Sequence, residues 1–193
     1  MKLITLSGLD GSGKSTQIEL LKKFLESQGK SSWYFHAVDF SVGNKWKRNF
    51  HNGSFASRRS VTKANWLQVQ LRKFALLIDV FRFRRLLKKK KVDYVISDRY
   101  FFDTVVNINY LETKFPSRLF VEKFISKPDF AFYIDVKPET IMRRERKPDQ
   151  GMEYLKAKEK LFESKIKDWD MIVIDGEKNK EEIFEEIKSK INV

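Results

Sequence analysis

The chain has 193 residues, no cysteine, 41% hydrophobic residues and a formal net charge of +13. This length predicts one domain with a sizeable core, and the lack of cysteine excludes a disulfide framework and a thiolate metal site. No apolar run reaches the roughly 20 residues of a bilayer crossing and the N-terminus does not resemble a signal peptide, so we expect a cytoplasmic protein without membrane contact.

Strand-like and helix-like segments alternate along the chain. The strand-like segments are KLITL (2–6), SWYFHAV (32–38), DYVISD (93–98), FAFYIDV (130–136) and DMIVIDG (170–176). Apolar residues at helical spacing predict helices between and after them, from Ile18 toward Gly29, over 65–88, from Pro138 through Met142, over 154–169 and over 181–191. This alternation favours parallel strand pairing with right-handed crossovers, and it predicts a three-layer α/β/α fold with a five-stranded parallel sheet.

The long helix over 65–88 has an apolar pattern of its own. From the spacing of its apolar residues we expect one face to point into the core, formed by Leu67, Leu71, Phe74, Leu77 and Ile78.

The first strand leads directly into GLDGSGKST at residues 8–16, which fits the pattern G-x-x-x-x-G-K-[ST]. Such glycines allow several backbone N–H groups to converge on a phosphate, and the following helix adds the positive end of its dipole. Lysine supplies a charge for the β- and γ-phosphates, while the serine hydroxyl can bind Mg²⁺. The motif predicts a P-loop NTPase fold that binds ATP through Gly8, Asp10, Gly11, Ser12, Gly13, Lys14, Ser15 and Thr16.

The third strand ends in Asp98, followed by Arg99. Ligands of open α/β sheets collect at the carboxyl ends of the strands, where a carboxylate can hold Mg²⁺ together with Ser15. An adjacent arginine can bind a phosphate with two parallel hydrogen bonds. The alternative is that Asp98 only caps the next helix.

A basic segment follows the fourth strand. It contains Arg143, Arg144 and Arg146 beside Pro148 and Gly151, and we interpret residues 143–153 as a mobile lid whose arginines reach the transferring phosphoryl group on closure. The alternative for any one arginine is a basic helix end stabilised by the helix dipole.

GLDGSGKSTQ (8–17), ISDRY (96–100) and KPDFAFYIDVKPE (127–139), in this order and spacing, resemble motifs of the thymidylate kinase family of P-loop nucleoside monophosphate kinases. The resemblance covers the first thirty residues and nearly everything from residue 92 onward. It implies transfer of the ATP γ-phosphoryl group to a nucleotide monophosphate, first of all dTMP, with ATP and Mg²⁺ required and a homodimer expected. It also implies that Asp10 helps to place the acceptor, that Arg99 holds the acceptor phosphate, and that the lid supplies the essential arginine, because position 12 is serine.

The middle of the chain departs from this family. The family's Arg-Glu-Pro motif is replaced by FHAVDFSVG (35–43), and the usual serine after ISDRY is Asp103. The acceptor-binding residues that we predict are therefore Asp10, Arg99, Tyr100, Phe74 as a base-stacking ring, and Arg72, with Arg82 as an alternative. Asp39 faces either the acceptor or a turn, and His36 is interpreted as an ordinary strand residue.

The departure coincides with a strongly basic segment, residues 40–92, which holds fifteen Lys and Arg against one acid, Asp79. This local balance of +14 accounts for the whole excess of positive charge. We interpret the segment as the acceptor-binding region, while a solvated basic surface remains the alternative. Two rival functions follow: a P-loop kinase of another acceptor (a nucleoside, another monophosphate or a polynucleotide end), and an ATP-binding module that grips nucleic acid.

Overall fold

A computed structural model describes residues 1–43, 64–112, 117–145 and 147–191. Its five strands form one parallel sheet in the order β2-β3-β1-β4-β5, which confirms the predicted sheet. The strands are β1 (Lys2–Gly8), β2 (Ser32–His36), β3 (Tyr94–Asp98), β4 (Phe130–Asp135) and β5 (Ile172–Asp175).

Helices cover both faces of the sheet, as the alternating pattern predicts. The described helices are α1 (Lys14–Ser27), α2 (Ala37–Phe40), α3 (Trp66–Leu87), α4 (Phe101–Glu112), α5 (Pro138–Arg143), α6 (Met152–Glu163) and α7 (Lys180–Ile191). Helix α1 packs with α7, whereas α3 packs with α4 and α4 packs with α6. Right-handed crossovers place these two groups on opposite faces because the strand order reverses direction after β2. None of the described helices has both the length and the apolar composition to cross a membrane.

Strand β1 is mostly apolar because it lies in the middle of the sheet. In β1 every residue after Lys2 is buried, since β3 pairs with it on one side and β4 on the other. A strand enclosed on both edges and both faces favours a continuous apolar run over alternation. This position brings the loop after β1 to the centre of the carboxyl edge of the sheet.

The inward face that we expected for α3 is wrong. Leu67, Leu71 and Phe74 are 58%, 53% and 57% exposed, while Leu77 and Ile78 are half-buried. The buried face instead carries Val69, Ala75, Leu76, Asp79, Val80 and Phe83. Both faces of this helix carry apolar residues, so helical spacing by itself could not select the one that meets the sheet.

The C-terminal limit that we expected for the helix over 154–169 is also wrong. Helix α6 ends at Glu163 and is followed by turns as far as Asp170, which has a positive φ of 47°. The apolar residues in those turns, such as Trp169, are buried against the core and therefore continue the helical pattern without being helical.

Phe83 belongs to an aromatic cluster between α3 and the sheet, and its ring contacts Phe35, Phe40, Tyr100 and Phe101. We expect Phe83→Ala to lower the free energy of unfolding by about 3–5 kcal/mol, because it removes a fully buried ring and leaves a cavity. Urea denaturation measures this loss.

The matched control is Phe81→Ala on the same helix, where the ring is 47% exposed. We expect this control to cost about 1 kcal/mol or less, since surface substitutions usually change stability little. Equal losses for the two variants would contradict the assignment of the buried face of α3.

Candidate active site

The loop after β1 has the backbone geometry that phosphate binding requires. Gly8, Gly11 and Gly13 have φ values of 148°, 89° and 97°, which side chains rarely allow. A Cβ on Gly8 would lie 2.7 Å from the carbonyl oxygen of Ile134, so any side chain there would collide with β4. Helix α1 begins directly after Gly13, and its free N–H groups face the loop.

A cavity of about 380 Å³ opens at the carboxyl edge of the sheet, beside this loop. Residues from four separate parts of the chain line it: Gly11, Gly13, Lys14, Ser15 and Thr16 from the loop and α1, His36 from β2, Asp98 and Arg99 from the end of β3, and Arg144 after α5. The fold therefore brings together most of the predicted ATP-binding residues, the predicted metal ligands and two of the predicted arginines.

Lys14 lies folded into the loop. Its Nζ donates hydrogen bonds to the carbonyl oxygens of Gly8 (2.9 Å) and Leu9 (2.6 Å) and to Ser12 Oγ (3.3 Å). Burial lowers the pKa of Lys14 to about 8, although the nearby carboxylate of Asp103 acts in the opposite direction. These three acceptors hold the ammonium group beside the cavity, within the loop that would surround a triphosphate.

Asp98 has the properties of a ligand for a hard cation. Its Oδ2 accepts a hydrogen bond from the hydroxyl of Tyr34 (3.3 Å), while its Oδ1 is buried with no hydrogen-bond partner in the described structure. A buried carboxylate oxygen without a partner is costly, and a bound cation would remove that cost. With Ser15 on the same cavity wall, the oxygen donors fit Mg²⁺. Among the described residues, no cluster of three or more His, Cys, Asp or Glu side chains offers another metal site.

Arg99 is held in an unusual backbone conformation. Its φ is 51°, a left-handed value that costs free energy for a residue with a side chain. The guanidinium group forms an ion pair with Asp10 of the loop at 2.5 Å and also lines the cavity. The turn after β3 therefore aims this arginine back across the sheet edge toward the phosphate-binding loop.

The three predicted lid arginines have different positions. Arg144 lines the cavity and donates a hydrogen bond from Nη1 to the carbonyl oxygen of Gly11, at 2.5 Å. Arg143, the last residue of α5, is exposed and does not line the cavity. Arg146 lies outside the described residues. Of the two described arginines, the geometry therefore favours Arg144 for contact with a bound nucleotide.

Four of the five predicted acceptor-binding residues lie outside the cavity lining: Asp10, which pairs with Arg99, and Tyr100, Phe74 and Arg72. Tyr100 is completely buried, and its hydroxyl donates a hydrogen bond to the carbonyl oxygen of Ser126 at 2.8 Å. Phe74 is exposed on α3, and Arg72 is half-buried on the same helix, where burial lowers its pKa. Arg82, the alternative, pairs with Asp79 at 2.7 Å. Residues 44–63 of the predicted acceptor-binding region lie outside the described residues.

Sequence reasoning missed four polar residues around the cavity. His36, interpreted as an ordinary strand residue, lines the cavity with its Nδ1 2.9 Å from Asp39. Tyr34 contacts Asp98. Asp103, noted only as a replacement, is buried and accepts a hydrogen bond from Ser7 Oγ at 2.6 Å, and Lys158 on α6 is also fully buried. His36 lies opposite Asp98 where β2 pairs with β3. A prediction of this strand pairing would have placed His36 beside the predicted metal ligand.

Fold and site together define a P-loop phosphotransferase. The family profile described as thymidylate kinase matches residues 6–187. The probable thymidylate kinase 1 of Saccharolobus solfataricus is 27% identical over 96% of this chain and 94% of its own length. The thymidylate kinase of Thermosipho africanus is 28% identical over 96% and 95%. The chain belongs to the thymidylate kinase family, whose members are ATP-dependent kinases that convert dTMP to dTDP.

Solved structures share the fold at lower sequence identity. The thymidylate kinase of Candida albicans superposes with a TM-score of 0.66 at 16% identity, over 99% of this chain and 91% of that one. The enzyme of Ehrlichia chaffeensis gives a TM-score of 0.64 at 20% identity, over 100% and 98%. This agreement supports the assignment of the P-loop NTPase fold.

The first test of the site concerns nucleotide binding alone. Lys14→Ala removes the only lysine of the phosphate-binding loop, and we expect the affinity for ATP with magnesium to fall by about 100-fold, because a charge-assisted contact to phosphate is lost. Isothermal titration calorimetry measures the change.

The control is Lys23→Ala, an exposed lysine on the same helix. It should leave the affinity unchanged. Equal affinities for Lys14→Ala and the native chain would remove Lys14 from the site.

Proposed function

We propose that Arg99 and Arg144 act with Lys14 in the transfer of the ATP γ-phosphoryl group to dTMP at this cavity. The observation that carries the proposal is that cations from three separate segments surround the opening of one phosphate-binding loop. Phosphoryl transfer depends mostly on positioning and on neutralising the negative charge of the phosphates, and this arrangement supplies both.

The donor half of the cavity would bind ATP. The N–H groups of residues 11–15 would surround the β- and γ-phosphates, and Lys14 would exchange its carbonyl partners for phosphate oxygens. Ser15 and Asp98 would hold Mg²⁺, which supplies further neutralisation of the phosphate charge when it is bound. A cytoplasmic location, where both nucleotides are available, fits this reaction and stays a prediction.

The acceptor half would depend on the pair formed by Asp10 and Arg99. A guanidinium group has five donors, so Arg99 can bind the acceptor phosphate with two of them while Asp10 limits its movement. The attacking oxygen of the acceptor phosphate then forms a bond to the γ-phosphorus as the bond to ADP breaks. Arg144, already in contact with the loop at Gly11, would balance the charge on the transferring group.

The decisive experiment is a coupled assay with a panel of nucleoside monophosphates and nucleosides. We expect dTMP to be the best acceptor and Lys14→Ala to lower kcat by about 10³-fold, because the site loses a charge that acts on the transferring group. Phosphorylation of another acceptor with dTMP inert would refute the proposed acceptor, and equal turnover by Lys14→Ala and the native chain would refute the proposed site.

The two described lid arginines provide a matched pair. We expect Arg144→Ala to lower kcat by about 10³-fold, as other cations supplied to this transition state do. We expect Arg143→Ala to change it by less than about threefold, because exposed charges act weakly. The same assay measures both variants. A larger loss of kcat in Arg143→Ala than in Arg144→Ala would assign the catalytic role to Arg143.

We also propose that the chain forms a homodimer through α3. This helix exposes Trp66, Leu67, Leu71 and Phe74, the first of them 74% exposed, along its N-terminal half. Contiguous apolar surface of this kind usually marks an interaction site. A second copy of the same face is a suitable partner, since most oligomers of one chain are symmetric and use one patch twice.

Sedimentation velocity tests the dimer. We expect the native chain to sediment as a dimer, and Leu71→Glu to give a monomer because an unpaired charge would be buried at the interface. Glu26→Gln, an exposed residue of α1 on the opposite face of the sheet, is the control that should remain dimeric. A monomeric native chain would refute the proposal.

A further inference from the structure

Tyr34 on β2 and Asp98 at the end of β3 are joined by a direct contact. The hydroxyl of Tyr34 donates a hydrogen bond to Oδ2 of Asp98 at 3.3 Å. The strand register explains this contact, because His36 pairs with Asp98 and Tyr34 lies two residues before His36. Residues two apart on a strand point to the same face, so all three side chains lie on one face of the sheet.

The two carboxylate oxygens of Asp98 are in different situations. Oδ2 accepts the hydrogen bond from Tyr34, whereas Oδ1 is buried and has no hydrogen-bond partner in the described structure. A donor on one oxygen hinders the rotation of the carboxylate that would exchange the two oxygens. Carboxylates that bind metals are commonly held by such outer hydrogen bonds, and the loss of one weakens metal binding. Oδ1 is therefore the oxygen that remains for a cation.

Helix α1 contacts the ring of Tyr34. Nζ of Lys22 lies 5.4 Å from the ring centre, within the roughly 6 Å over which an ammonium group is attracted to an aromatic face. Ser15, the other predicted metal ligand, is in the first turn of the same helix and lines the cavity together with Asp98. Helix α1 thus carries one predicted ligand itself and contacts the residue that holds the other.

We propose that Tyr34 is a positioning residue for the metal site. Its hydroxyl fixes the carboxylate of Asp98, so that the cation shared by Asp98 and Ser15 is bound more tightly than it would be by a freely rotating carboxylate. This inference rests on the proposed function, because the binding of Mg²⁺ by Ser15 and Asp98 is part of that proposal. Tyr34 itself does not line the cavity, and it acts only through Asp98.

A purely structural role is the alternative for Tyr34. The hydrogen bond would then only stabilise the fold around a buried carboxylate, and its loss would leave metal binding unchanged. Tyr34→Phe separates the two roles, since it removes the hydroxyl and keeps the ring that Lys22 contacts. Because 41% of Tyr34 is exposed, this variant leaves the buried core intact.

The test measures metal binding directly, with Mn²⁺ as a paramagnetic substitute for Mg²⁺, since both prefer oxygen ligands. The EPR signal of free Mn²⁺ gives the affinity of the complex of protein and ADP for this metal, with protein in excess over ADP. We expect Tyr34→Phe to lower that affinity about tenfold, as the loss of an outer partner does. The affinity for ADP without metal, measured by calorimetry, should change by less than about twofold, because the loss concerns the metal ligand and not the phosphates.

A double variant tests whether Tyr34 acts through Asp98. In an Asp98→Asn background, Tyr34→Phe should have no further effect on the affinity for Mn²⁺, since the two residues act as a coupled pair. The matched control is Tyr133→Phe on β4, which also removes one hydroxyl. The Tyr133 hydroxyl is buried without a hydrogen-bond partner in the described structure and lies outside the cavity lining, so its loss should leave the affinity for Mn²⁺ unchanged.

Thermal unfolding should show that every variant is folded. Equal affinities for Mn²⁺ in Tyr34→Phe and the native chain would overturn the inference. An equal loss of affinity for ADP without metal, or an undiminished effect of Tyr34→Phe in the Asp98→Asn background, would overturn it as well. A native chain that binds no Mn²⁺ in the presence of ADP would instead refute the proposed metal site of Ser15 and Asp98.

Discussion

Strand β1 is hydrogen-bonded to β3 on one side and to β4 on the other, and the geometry of the site depends on this double pairing. Leu6 pairs with Asp98 and Gly8 pairs with Ile134, so the ends of the three strands are level with one another. The phosphate-binding loop, the Asp98–Arg99 turn and the segment between β4 and α5 consequently leave the sheet at the same edge. A slip of one residue in either pairing would turn these side chains to the other face.

Balanced charge is the second feature of the site. The cations Lys14 and Arg99 and the acid Asp98 line the cavity, while Asp10 pairs with Arg99 and Asp103 accepts a hydrogen bond from Ser7 of β1. Most of these groups are partly or fully buried, where unpaired charges are costly. The positive and negative groups lower this cost because they interact with one another. Before nucleotides bind, Asp10 therefore holds Arg99, the carbonyl oxygens of the loop hold Lys14, and Ser7 holds Asp103. Phosphates can replace several of these partners without the need to bring in new cations.

Helix α3 shows how one element serves two surfaces. Its face with Val69, Val80 and Phe83 closes the aromatic cluster against the sheet, while its other face presents Leu67, Leu71 and Phe74 to the outside. An apolar face that remains exposed in the single chain is a reason to look for a partner. It also explains why the pattern of this helix misled the assignment of its inner face.

The sequence by itself determined the parts of this protein that depend on neighbouring residues. The order of strands and helices, the parallel sheet, the phosphate-binding loop and the roles expected for Lys14, Ser15 and Asp98 all follow from local spacing and from the rule that parallel strands end at one edge. Only the tertiary structure distinguished Arg144 from Arg143, buried Tyr100 in the core and chose the inner face of α3. These features depend on contacts between residues far apart in the chain, such as Asp10 with Arg99 and Gly11 with Arg144, and no local pattern encodes which distant side chain will fill a given space.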